Sequence, residues 1–89
     1  MQIDEGRGRD VTTRLRRVQG QIAGIIAMID DGRECSDIVM QVAAASKALD
    51  RAGLRIVIDG MQQCAQASGR GEEPPMDVAQ LEKLFLSLA

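Results

Sequence analysis

Eighty-nine residues suffice for one small core, so the chain is a single domain or one subunit of a larger assembly. Apolar residues make up 45% and charged residues 27%, which excludes a disordered chain, and one Phe without Trp or Tyr argues against sandwiches, barrels and readers of single-stranded bases. Histidine is absent, which removes His-based triads and every metal site that needs an imidazole. The net charge of −2 conceals an uneven distribution. Arg7, Arg9, Arg14, Arg16 and Arg17 crowd the first 17 positions, while acids gather at Asp30–Asp37 and again at Glu72–Glu82. A basic end can hold a polyanion; a solvated helix face is the competing reading of the same arginines.

The first apolar periodicity follows Thr12 and Thr13, both suitable N-caps. Leu15, Val18, Ile22, Ile25, Ile26 and Ile29 then recur at three and four residues, and Gly32 is a fitting stop, predicting a helix over 13–30 after a disordered 1–11. The second segment is longer. Ile38, Val42, Ala45, Leu49, Ala52 and Ile56 are spaced 4, 3, 4, 3, 4, the seam pattern of a coiled coil, and no proline interrupts 35–67. Gly53 and Gly60 weaken that helix by roughly 1 kcal/mol each. A linker over 68–75, ending in Pro74-Pro75, precedes a short amphipathic helix over 76–88. The expected fold is all-α, with three helices per protomer and a long central one, in one domain spanning 1–89.

Oligomerisation follows from lengths. A central helix of roughly 45 Å cannot bury its seam against partners of roughly 20–27 Å, and pairing two such helices antiparallel, as in a four-helix bundle, covers it. The cysteines agree. Cys35 and Cys64 are 29 residues apart on one helix, about 43 Å by helical rise, too far for an internal disulfide. In an antiparallel dimer centred near residues 49–50, Cys35 of one chain falls beside Cys64 of the other. Cys35 lies in a polar stretch at a helix start, where the macrodipole and Arg33 favour an anion while Glu34 and Asp37 oppose it. The competing reading makes both cysteines buried small hydrophobes. Two thiols with no apolar leader or membrane-length run predict a cytoplasmic location.

Arg14, Arg17 and Gln21 share one face of the first helix, and Lys47, Arg51 and Arg55 form a stripe on the second. Neither stripe is read as carrying an acid on its own face. Together they suit phosphates rather than base edges, with salt-sensitive binding that leans on DNA shape. Met28, Met40, Met61 and Met76 are scattered and fit core or interface packing better than metal ligation. No general base, metal cluster or nucleotide loop stands out, so the chain is not expected to be an enzyme.

The run Arg14-Leu15-Arg16-Arg17-Val18-Gln19-Gly20-Gln21-Ile22-Ala23-Gly24-Ile25, followed by Cys35 and Gln41-Val42-Ala43-Ala44, resembles the CsoR/RcnR family of bacterial metal-sensitive transcriptional repressors. The likeness covers about residues 10–65. It implies a dimer built on antiparallel second helices, a homotetramer of two dimers, and operator DNA released when an inducer reaches the cysteines. It also implies that residues matching Arg14, Arg51 and Gln21 belong to the DNA-binding face.

Copper-sensing members use Cys-His-Cys, with the His four residues before the second Cys; that position is Gly60 here. The nickel and cobalt sensors need further histidines. The branch that keeps both cysteines without the His, the CstR-like persulfide sensors, is the most similar. It implies that Cys35 attacks a low-molecular-weight persulfide or polysulfide and that Cys64 of the partner subunit resolves the product as a di-, tri- or tetrasulfide cross-link, with no metal cofactor. A copper(I) sensor holding the ion between Cys35 and Cys64 is the alternative. A formaldehyde-sensing member would carry a proline where this chain has Gln2. A helical adaptor with passive cysteines is the reading from a different class.

Overall fold

The computed structural model describes all 89 residues, Met1–Ala89. It consists of α1 (Glu5–Asp30), α2 (Cys35–Gly69) and α3 (Val78–Leu88), without strands. The all-α class and the long central helix match the sequence reading. None of the helices is long and apolar enough to cross a membrane.

The beginning of α1 corrects that reading. The helix starts at Glu5, with Asp4 as its N-cap accepting from the Arg7 amide at 3.2 Å, whereas residues 1–11 were expected to be disordered. Thr13 lies inside the helix and its hydroxyl bonds back to the Arg9 carbonyl at 3.0 Å. Two forces extend the helix. Asp is a strong N-cap and Glu5 suits the positive end of the macrodipole. The first turn is also anchored to α2, because the Asp4 amide donates to Asp59 at 3.0 Å. Tertiary bonds override the low helix propensity of Gly6 and Gly8.

The ends of α1 and α2 close alike. Gly32 and Gly71 adopt φ values of 68° and 71°, a left-handed conformation that costs a glycine little. Each turns the chain so that the following amide reaches back over the helix end, Arg33 to Met28 at 3.0 Å and Glu72 to Ala67 at 2.9 Å. These stops divide the chain into an antiparallel α1–α2 hairpin and a short α3, capped by Asp77, that folds back along α2.

The packing of α3 gives Gly53 and Gly60 a role beyond weakening a helix. A Cβ at Gly60 would stand 2.9 Å from Leu81 Cδ2, and one at Gly53 would stand 2.9 Å from Leu88 Cδ1. The two glycines lie seven residues apart, as do the two leucines, so the glycines form a groove that seats α3 in a fixed antiparallel register.

The core is thin. Ten of 89 residues are buried, and no large side chain is fully enclosed. Val11 and Val18 of α1 close over α2, whose Ala45 and Ala52 are buried, while Val57, Cys64 and Leu81 form a second cluster under α3. The predicted α2 seam is therefore split. Its alanines are buried, while Val42, Leu49 and Ile56 remain about half exposed. Val39 and Met40 are barer still, at 64% and 68%.

Candidate functional site

The two cysteines occupy opposite ends of α2 in unlike surroundings. Cys35 is the first helical residue and is exposed; its neighbour Glu34 caps the helix without a side-chain hydrogen bond. Cys64 is buried, 6% exposed, and its thiol donates to the Met76 carbonyl at 3.5 Å. Val57 and Leu81 enclose it, with Met76 and Leu88 against them. Both thiols are free, and the unbroken helix between them keeps them about 43 Å apart by helical rise within one chain.

Gly60 precedes Cys64 by one helical turn, on the same face. The space above it is taken by Leu81 and by the end of Met1, whose Cε lies 2.9 Å from where a Cβ would stand. No three His, Cys, Asp or Glu side chains within the chain converge closely enough to hold a metal ion. The chain's two thiols are a soft donor type that suits copper(I), and without histidine it offers no imidazole of the kind nickel and cobalt prefer.

Beside the Cys64 end lies a polar cluster that sequence reasoning missed. Asp59 is only 3% exposed and fully engaged. Its carboxylate pairs with Arg7 Nε at 3.3 Å and accepts from the Asp4 amide at 3.0 Å and from Gln63 Nε2 at 2.7 Å. Arg7 also donates to Gln62 Oε1, and Gln63 Nε2 to the Gln2 carbonyl at 2.9 Å. The N-terminal segment is thus strapped onto α2 next to the residue that precedes Cys64. The available signal was position: Asp59 continues the spacing of Lys47, Arg51 and Arg55 by four more residues.

The basic stripes meet across the α1–α2 interface. Asp10 Oδ2 lies 3.3 Å from Arg14 Nε and 3.4 Å from Arg55 Nη1, joining the helices. With Arg7–Asp59, this contact marks a register in which α1 residues 14–18 lie alongside α2 residues 47–51. No acid lies between the members of either stripe, but Asp10 flanks the first one turn before Arg14 on the same face. Arg17, Lys47 and Arg51 are exposed, and none forms an ion pair. Gln21 sits differently, with its side-chain oxygen buried and without a hydrogen-bond partner. That costs free energy, and rotation toward a ligand would recover it.

Comparison with known proteins agrees with this arrangement. The sequence profile described as metal-sensitive transcriptional repressor matches residues 8–87. The copper-sensing transcriptional repressor CsoR of Bacillus subtilis is 33% identical over 78 residues, covering 84% of this chain and 77% of that protein. The copper-sensing transcriptional repressor RicR of Mycobacterium tuberculosis is 37% identical over 51 residues, 57% of this chain and 53% of its own length. Among solved structures, the nickel-responsive transcriptional regulator InrS superposes with a TM-score of 0.76 at 28% identity, covering 91% of each chain. With the profile spanning nearly its whole length and three helices in the same arrangement, the chain belongs to the family of metal-sensitive transcriptional repressors.

Proposed function

We propose that the protein binds operator DNA as a homo-oligomer and releases it when an effector engages a site shared by Cys35 of one subunit and Cys64 of the partner subunit. The observation that carries this reading is the geometry of α2. It is one unbroken helix with a thiol at each end and a half-exposed flank of Val42, Leu49 and Ile56 between them. Antiparallel pairing of two such helices covers the flank and brings unlike cysteines together twice per dimer. A homotetramer of two dimers follows from the family resemblance. Arg14, Arg17, Gln21, Lys47, Arg51 and Arg55 then supply the DNA face, mainly through phosphates.

Copper(I) is the effector this reading favours, because the CsoR and RicR relatives are named copper-sensing repressors and two thiolates suit the ion. The names of these relatives favour this alternative over sulfur sensing. Cys35 and Cys64 of the partner subunit would hold the ion, which when bound would supply a strong soft-ligand bridge between two subunits. Gly60 provides no third ligand, and Leu81 seals its position.

One observation favours a second reading. The chain has no histidine, and its two thiols are divided into one exposed, which a reagent can reach first, and one shielded. Cys35 would attack the terminal sulfur of RS–SH, forming Cys35–S–SH and expelling RS−, which takes up the cysteine proton. Cys64 of the partner subunit would attack the inner sulfur, forming a disulfide and releasing sulfide. A polysulfide reagent that leaves one more sulfur attached lengthens the bridge by one atom. In either reading, emptying the operator requires the effector to favour the released state by a few kcal/mol.

The test is an operator-binding titration with copper(I) or polysulfide, with non-reducing intact-mass measurement of the same samples. Release by copper(I) at stoichiometric loading, without a covalent dimer, supports the copper reading. Release by polysulfide with a covalent dimer carrying added sulfur supports the second. Normal release from the Cys35→Ala variant by both effectors sinks the shared site.

A further inference from the structure

The bridge between Arg14 and Arg55 has a consequence for DNA binding that rests on the function proposed above. We propose that Asp10 is an internal stand-in for phosphate: its carboxylate occupies the anion position between Arg14 and Arg55, holds down their affinity for the DNA backbone, and must be displaced or outcompeted when the operator binds.

The geometry supports this at each step. One oxygen, Asp10 Oδ2, is shared by guanidinium groups from two helices, at 3.3 Å and 3.4 Å. Two arginines converging on a single oxygen are what a non-bridging phosphate oxygen would meet. The site faces solvent, since the Arg14, Arg55 and Asp10 side chains are 34%, 40% and 44% exposed. A DNA backbone can therefore approach without unfolding anything. Ion pairs this exposed are weak, so the carboxylate yields readily and contributes little to the rigidity of the hairpin. Its charge, by contrast, acts on every phosphate that approaches within a Debye length.

Two opposing effects of Asp10 can be weighed. It pre-arranges the arginines, which would aid binding, and it repels the polyanion, which would oppose binding. Val11 and Val18 already fix the α1–α2 packing, and Arg7–Asp59 anchors the same hairpin one turn away, so little of the pre-arrangement depends on Asp10. Repulsion prevails. Because backbone contacts carry no base information, the penalty applies equally to operator and non-operator DNA. Asp10 thus keeps general DNA binding weak enough for base- and shape-dependent contacts to decide where the protein rests.

The experiment compares wild type, Asp10→Asn and Asp10→Glu on two duplexes across a range of salt concentrations. One duplex is taken from immediately upstream of the protein's own coding sequence, and the other is a scramble of equal length and composition. Asp10→Asn is expected to bind both duplexes roughly three- to tenfold more tightly at low salt, with log K falling more steeply against log salt by about one unit. Asp10→Glu, which keeps the charge, is expected to retain the wild-type slope. A purely structural role would not raise the slope. Unchanged or weaker binding by a folded Asp10→Asn, with an unchanged slope, overturns the proposal while leaving the repressor function standing. A wild-type protein that binds neither duplex overturns the function, and this proposal with it.

Discussion

The two ends of α2 are built to different standards, although they belong to one helix and each presents a cysteine. At the Cys35 end, the helix begins with no side-chain cap bond, and Val39 and Met40 stand largely bare. At the Cys64 end, the helix is clasped on one side by the N-terminal strap through Asp59 and on the other by α3 through Leu81. The difference shows that enclosure here comes from elements added around α2, not from the helix itself. α3 lies over the shielded thiol, and the N-terminal strap reaches the same stretch of α2 at Asp59, Gly60 and Gln63. The open end has the last turns of α1 and a short loop beside it, and these leave Cys35, Val39 and Met40 exposed.

The largest expected effect comes from cutting the strap. Asp59→Asn removes the charge that Arg7 pairs with and weakens the anchorage of the Asp4 amide. Breaking a buried pair costs about 3–5 kcal/mol, and because Arg7 keeps 27% of its side chain exposed, a loss of about 2 kcal/mol is expected. Denaturant unfolding at fixed protein concentration measures it. A loss below about 0.5 kcal/mol would show that the clasp contributes little and that α3 alone encloses Cys64.

The second effect is kinetic and reads the two ends directly. Iodoacetamide is expected to alkylate Cys35 tenfold to a hundredfold faster than Cys64 in the native protein, because Cys64 must wait for local opening. Peptide mass analysis after timed quenching gives both rates in one sample. In Asp59→Asn the gap should narrow. Equal rates in the wild type would mean that the enclosure seen around Cys64 is lost in solution, and with it the division of roles between the thiols.

The clasped end was also where the sequence was least legible. The run from Cys35 to the linker could be read as one long helix because its apolar residues repeat without interruption, and helical rise alone then separated the cysteines. The start of α1 could not be read this way. Local signals favoured Thr12 and Thr13, and the bonds that move the start to Glu5 come from Asp59, more than fifty residues away. Asp10 was half legible: its spacing from Arg14 is a helical neighbour's, but the contact with Arg55 exists only once α1 and α2 pair. Gly53 and Gly60 were legible only as helix weakeners, because their value lies in the leucines of α3 that settle into them.

The smallest effect isolates α3 from the strap. Asp77 Oδ1 accepts from the Ala79 amide at 3.1 Å, capping an 11-residue helix that is too short to persist without its tertiary contacts. Asp77→Ala is expected to cost about 1 kcal/mol, and Asp77→Ser, which keeps an acceptor, little. If α3 is what Cys64 waits for, that cost passes into the opening equilibrium, and Cys64 alkylation should quicken about fivefold while the Cys35 rate stays unchanged. If Cys64 alkylation instead quickens only in Asp59→Asn, the thiol opens through the strap, and the N-terminal segment, not α3, governs access to it. If both variants quicken it, either element can open the site alone. In that case the shielding of Cys64 is no greater than the weaker of its two covers provides.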